Sequence, residues 1–348
     1  MITNNDELAE FLALIKDETE LAIDTEFKWV STYYPILCLI QIATKEVAEC
    51  IDVVSIEDLE PLFEKLYQPD VLWIAHAARN DVEVLYRITG RLPTQVFDTQ
   101  IAVDLLRDLR PEDANPGAQI SYQAITEILQ GIVLDKTFTR LDWSVRPLPE
   151  GAVKYALEDV VYLIKNYHQL KILLENESKI DWLLEEGQLM LDINIYAPNI
   201  FQSWTRVKGF SRLPKQLHLF AVQLAGWREQ TAIEKNKPRR WIMKDDELIE
   251  IAMGKRLNND KQRKFDDFLA ENPNEIEIKI DTHNRVPTPE EKAQKLILQK
   301  LIQETASQYN LNAEVIANGK TLLRYIRGDQ SVNFLNGWRH ELLKDILS

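Results

Sequence analysis

Leu21-Ala-Ile-Asp-Thr-Glu-Phe27, Ile36-Leu-Cys-Leu-Ile-Gln-Ile-Ala-Thr44 and Val47-Ala-Glu-Cys-Ile-Asp-Val-Val54 follow one another with only turn-like polar stretches between them. Each run is short, apolar and bounded by breakers, the pattern of a strand rather than of a helix. Outward from these runs, residues 57–67 place Leu59, Leu62, Phe63 and Leu66 on one helical face. A buried strand is expected at 71–76 (VLWIAH), then helices near 80–89, 98–107 and 121–130 and a long one over 150–174. Three strands followed by alternating helices and strands predict an α/β domain, a mixed sheet flanked by helices. Segment 108–120, rich in Pro, Gly and charge, reads as a long connecting loop. Beyond about 176 the strand signal vanishes, and a Pro-containing break at 272–289 separates two all-helical blocks, roughly 210–271 and 290–348. These blocks share a loose plan, a weak internal repeat.

The chain has 348 residues, enough for two or three domains, and 45% of them are hydrophobic, enough for a sizeable core. The net charge of −14 argues at first against a nucleic-acid ligand. It is unevenly spread. Residues 1–170 carry 14 Lys+Arg against 29 Asp+Glu, whereas 204–244 carry 10 against 2. That basic stretch holds Arg206, Lys208, Arg212, Lys215, Lys235, Lys237, Arg239, Arg240 and Lys244, interleaved with Trp204, Phe210, Trp227 and Trp241. Cations mixed with aromatics suit a nucleic-acid backbone with optional base stacking; the alternative is a solvated helix face around a Trp-containing core. Trp227, Trp241 and Trp338 are expected in the core.

The first residues lack the cation-then-apolar order of a secretory signal, and no apolar run nears the ~20 residues of a membrane span. A cytoplasmic protein with no membrane attachment is expected, with Cys38 and Cys50 as buried reduced thiols. P-loop, dinucleotide-binding and serine-hydrolase motifs are missing, so no nucleotide cofactor is expected.

Asp24 and Glu26, two apart on a strand, face the same side. Tyr155 and Asp159, four apart on a helix, share one face. Asp81 follows His76 where a buried strand gives way to a helix, a usual place for a site in such sheets. Singly, each has an ordinary explanation: a solvated strand end, a hydrogen-bonded pair, a helix cap, a core histidine. Together, four carboxylates without thiol or zinc-spaced imidazole suit Mg²⁺ or Mn²⁺. Two such ions serve an in-line phosphodiester displacement.

At these residues the sequence resembles the DEDD superfamily of 3′→5′ exonucleases, in the subgroup with Tyr in its third motif, and most closely the ribonuclease D family. The matching stretches are Asp24-Thr25-Glu26, Asp81 in His-Ala-Ala-Arg-Asn-Asp, and Tyr155-Ala-Leu-Glu-Asp159. Further matches are Tyr33-Tyr34-Pro35 with Leu37, Leu39, Ile40 and Gln41; Asp98-Thr99-Gln100; Leu134-Asp-Lys136; and Asp142-Trp143 with Arg146-Pro147-Leu148. The tail is similar to tandem HRDC modules, through Leu213-Pro214 and Leu224-Ala-Gly-Trp227-Arg228 in one and Gly319 to Leu323 and Gly337-Trp338-Arg339 in the other. The resemblance implies an RNase H-like α/β exonuclease domain over 1–175, a helical linker over 176–207, and HRDC modules over 208–288 and 289–348. It also implies an exoribonuclease releasing 5′-mononucleotides from a 3′-hydroxyl end, acting on RNA such as tRNA precursors. Asp24, Glu26 and Asp159 would ligate one ion, Asp24 would bridge to a second held by Asp81, and Tyr155 would orient the nucleophile. Phe27, Gln41, His76, Lys136, Arg146, Arg239 and Arg240 are candidate substrate contacts. A DNA-directed exonuclease and a non-catalytic RNA scaffold are the competing readings. A monomer is favoured.

Overall fold

A computed structural model describes residues 1–110, 119–197, 199–272 and 286–347. Most of the expected loop at 108–120 and of the break at 272–289 lies outside them. In chain order the first elements are α1 (Asn5–Leu14), β1 (Glu20–Lys28), β2 (Ile36–Ala43), β3 (Ala48–Ile51), α2 (Glu60–Leu66), β4 (Leu72–Ala75) and α3 (Arg79–Thr89). There follow β5 (Gln95–Asp98), α4 (Thr99–Leu105), α5 (Tyr122–Gln130), α6 (Ala152–Asn176), α7 (Ile180–Met190) and α8 (Ile193–Tyr196). The remainder is helical among the described residues: α9 (His218–Glu234), α10 (Arg239–Ile242), α11 (Asp245–Ala252), α12 (Asn259–Glu271), α13 (Pro289–Gln308), α14 (Ala313–Ile316), α15 (Gly319–Ile326) and α16 (Gly337–Leu347), with short 3₁₀ turns between.

The mixed sheet has the order β3-β2-β1-β4-β5. β4 runs parallel to β1 with Ala22 opposite Ile74, β5 runs parallel to β4 with Ala75 opposite Asp98, and β3 runs antiparallel to β2. Seven of the eight residues of β2 are buried, as expected of a strand covered on both faces. The sequence expectation missed two elements. β5 is only four residues long, and it passes into α4 at Asp98, whose side chain caps that helix by accepting from the Gln100 N–H. Strand and helix therefore read as one segment. α1 has a weak apolar stripe, burying Leu8 and Phe11 behind an Asn4 cap.

The described residues of Met1–Phe27, Leu37–Ile193 and Thr282–Ser348 form one compact unit; those of Lys28–Ile36 and Asn194–Asp281 form a second. In the first unit, one core joins Phe97 of the sheet and Val160, Leu163 and Tyr167 of α6 to Ile302, Phe334, Trp338 and Leu343 of the C-terminal helices. α7 carries much of that junction. Its Trp182 stacks on Trp338 at 4.7 Å, and the Trp338 Nε1–H donates to Glu186 at 2.8 Å. Gly187 lets α7 lie against β5, since a Cβ there would meet the Val96 carbonyl oxygen at 2.4 Å. Just before α7, buried Lys179 donates to the carbonyls of Leu105 and Asn310 at 2.8 and 3.0 Å. The second unit has its own core, around Phe210, Leu224, Trp227, Leu248, Phe265 and Phe268.

Candidate active site

β1 begins among buried apolar residues, with Leu21, Ala22 and Ile23 essentially inaccessible, and runs out with Asp24 and Glu26 half-buried. Alternation puts both carboxylates on one face. α6 supplies the third. Carboxylate oxygens of Asp24, Glu26 and Asp159 all lie within 4.8 Å of one another. One turn earlier on α6, Tyr155 has its ring between Phe138 and Trp143, with centroids at 5.8 and 6.2 Å. Its hydroxyl lies 3.4 Å from that of Thr139.

The fourth acid enters from α3. Asp81 is buried, and its Oδ1 accepts from both the backbone N–H of Thr25, at 3.1 Å, and the Thr25 hydroxyl, at 2.5 Å. The residue between the two acids of β1 thus holds Asp81 to that strand. The turn that delivers α3 is held as well: Asp98 accepts from the N–H groups of Ala77, at 3.0 Å, and Ala78, at 2.9 Å. Ala77 there has φ +55°, a left-handed conformation that such hydrogen bonds stabilise. Neither Thr25 nor Asp98 stood out as a site residue in the sequence. The signal for Thr25 was its place between two acids; for Asp98 it was the Asp-Thr-Gln run.

Four carboxylates so gathered disfavour their own ionisation. Burial, then the charge of Asp159, pushes Asp24 up to about 8. Burial, then Asp24, Asp159 and Asp81, pushes Glu26 up to about 9. Burial, then Glu158, pushes Asp159 up to about 7, and burial with the Asp24 charge raises Asp81 well above the usual carboxylate range. Among the described residues no Lys or Arg pairs with any of the four. An all-oxygen, uncompensated acidic cluster fits hard divalent cations such as Mg²⁺ or Mn²⁺.

The other candidate contacts fall in different places. His76, mostly buried, has its Nδ1 3.0 Å from the Thr99 hydroxyl. Phe27 is half-buried at the end of β1, and Lys136 is exposed. Gln41 is fully buried, with neither side-chain amide atom hydrogen-bonded. Arg146 is committed within the fold. It forms a two-pronged pair with Asp52, both contacts at 2.6 Å, and donates to the carbonyls of Trp143 at 2.7 Å and Cys38 at 3.0 Å. In the second unit, Arg239 lies 3.6 Å from the carboxylate of fully buried Glu229, which also accepts from Arg206 at 2.8 Å and from the Tyr33 hydroxyl. Arg240 is exposed. Trp227 and Trp338 are core residues as expected, but Trp241 is 62% exposed. Cys38 and Cys50 are buried and are not joined in a disulfide.

Residues 1–175 match the family model described as 3′–5′ exonuclease. Ribonuclease D of Bartonella henselae is 32% identical to the chain, over 98% of this chain and 87% of that protein. The chain belongs to the ribonuclease D family. Ribonuclease D of Nitrobacter hamburgensis is likewise 32% identical, over 98% of this chain and 92% of its own length. The crystal structure of Escherichia coli RNase D, described as an exoribonuclease involved in structured RNA processing, superposes with a TM-score of 0.81. The match covers 100% of this chain and 96% of that one at 24% identity, a likeness of fold. As a member of this family the chain is an enzyme, a 3′–5′ exonuclease. No helix among the described residues is long and apolar enough to cross a membrane.

Proposed function

We propose that the protein hydrolyses RNA from its 3′-hydroxyl end, one nucleotide at a time, releasing 5′-mononucleotides, with two divalent cations held by Asp24, Glu26, Asp81 and Asp159. The observation that carries this reading is the convergence of Asp24, Glu26 and Asp159 within 4.8 Å in a chain whose relatives are named ribonuclease D. Bound Mg²⁺ or Mn²⁺ supplies positive charge for the attacking and leaving oxygens and acidifies a water. Asp24, Glu26 and Asp159 would hold one ion, and Asp81, fixed to β1 through Thr25, would help hold the second together with Asp24. Burial raises the Tyr155 phenol above its ordinary value, so the hydroxyl stays protonated at neutral pH and orients the nucleophile by hydrogen bonding. Lys136, exposed on the loop before Tyr155, takes a substrate phosphate.

The helical blocks 208–288 and 289–348 are read as HRDC modules after a linker over 176–207. The seven exposed cations between Lys208 and Lys244 favour the first as the RNA-binding one. The expected substrate is a tRNA precursor with a 3′ trailer, processed by a cytoplasmic monomer. The test is Mg²⁺-dependent release of 5′-mononucleotides from end-labelled RNA, with a matched DNA oligonucleotide alongside. Asp24→Ala is expected to abolish release; equal degradation by variant and wild type would remove the site assignment. Faster digestion of the DNA would favour the DNA-directed reading.

A further inference from the structure

Within the second unit the aromatic side chains range from buried to exposed, with Trp29 at 58% and Trp241 at 62% the most open to solvent. Trp204 and Phe210 pack with each other at 4.6 Å, and Trp227 lies beside Phe265; Phe210, Trp227 and Phe265 belong to the core, and Trp204 is partly buried against it. Trp241 does neither: most of it faces solvent. It sits on α10, a single turn set between Pro238 and Met243, and both ends of that turn are fixed. The Trp241 N–H donates to the Pro238 carbonyl at 2.8 Å, Met243 is buried, and Arg239 is anchored on the buried carboxylate of Glu229. A large apolar ring thus faces solvent from a turn whose flanking residues are tied to the unit.

Its surroundings are cationic. Lys237 Nζ stands 5.7 Å from the Trp241 ring centroid, and Lys235, Arg240 and Lys244 are exposed on the same short stretch. An exposed indole flanked by cations offers a π-face to a base and positive charge to neighbouring phosphates, the recognition chemistry of unpaired nucleic acid. The charge partition of the chain points the same way, since residues 204–244 are strongly basic in an otherwise acidic protein.

We propose that Trp241 is a stacking platform for an unpaired nucleobase of an RNA strand, with Lys237 and Arg240 contacting the flanking phosphates. The proposal rests on the reading of RNA as the substrate. It deepens that reading by giving the helical unit a preference for single-stranded segments.

The test uses the full chain in EDTA, where RNA is bound but not cut. Binding of a short fluorescent single-stranded RNA and of the blunt duplex of the same sequence is followed by anisotropy. Trp241→Ala is expected to weaken single-strand binding by roughly 5- to 100-fold and leave the duplex unchanged, because paired bases offer no free face. Trp241→Phe, which keeps a ring, should retain most of the affinity. The salt dependence should keep its slope in Trp241→Ala, whereas Lys237→Ala and Arg240→Ala should each lower it by about 1. Unchanged single-strand affinity in Trp241→Ala would overturn the platform and leave a protein partner for this ring. An equal loss on single strand and duplex would overturn it too. Far-UV circular dichroism confirms that the variants fold. If wild type binds single strands through Trp241 but releases no nucleotides with Mg²⁺, the exoribonuclease reading fails and the platform stands.

Discussion

Arg146 lies three residues from Trp143 in a family-like run, and a phosphate contact was the natural expectation for its charge. The fold gives that charge to Asp52, 94 residues away in sequence, whose side chain is 1% exposed. Such a pair is invisible to local reading, because nothing near Arg146 announces the buried acid. Removing one partner of a buried ion pair leaves the other uncompensated, at a cost of about 3–5 kcal/mol. Arg146→Ala should therefore lower the melting temperature with KM for RNA unchanged; a raised KM at unchanged stability would restore the phosphate role. At the acidic cluster the sign of the pH effect follows from burial and like charge. Folding raises Asp24 to about 8 and Glu26 to about 9, so the native metal-free protein binds protons that the unfolded chain, with ordinary carboxylates, has lost. The stability from those protons is complete below the ordinary carboxylate range and is lost as pH rises through 8 and 9. Thermal melts in EDTA should thus fall from roughly pH 6 to above pH 9. Saturating Mg²⁺ should flatten that trend and release protons on binding, measured by calorimetry in buffers of different ionisation enthalpy. A metal-free melting temperature that rose over this range would contradict the cluster's electrostatics.

Elements were legible where their period was strong and their length ordinary. β1, β2, β4 and the helices α3, α5 and α6 fall close to their expected spans. β5 was hidden because four residues are too few to show a period. Element ends carry information that period does not. α16 starts at Gly337, with φ +58°, and the next N–H donates to both carboxylate oxygens of Glu185 on α7, at 3.2 and 3.1 Å. A Cβ at Gly337 would sit 1.5 Å from a Glu185 oxygen. Gly337→Ala must displace that carboxylate and hold a left-handed alanine, so it should destabilise the first unit by about 1–3 kcal/mol. Urea denaturation measures this directly, and an unchanged midpoint would mean the α7–α16 junction yields freely.

For the molecule as a whole, chain order and compact units disagree. All five candidate catalytic residues lie within residues 1–175, and the strand-free tail reads as two separate helical blocks. Yet Ile302, Phe334, Trp338 and Leu343 belong to the same core as Phe97 and Tyr167, and the short segment Lys28–Ile36 groups with the second unit through Tyr33 and Glu229. Truncation after residue 288 should consequently expose that core, giving low solubility and loss of a cooperative melt. A truncated chain that melts cooperatively near the wild-type temperature would show the C-terminal helices to be dispensable.

The sequence by itself determined what depends on near neighbours: a mixed sheet followed by helices, two acids on one strand face, Tyr155 and Asp159 on one helix face, and the division of charge between the two ends of the chain. Those features follow from backbone periodicity and residue type. Only the tertiary structure decided that Thr25 grips Asp81, that Arg146 serves Asp52, that Trp241 faces water rather than the core, and that the last helices complete the nuclease core. Each of these depends on contacts between residues far apart in the chain, or on which ring the core has room to bury, and periodicity and residue type carry no record of either.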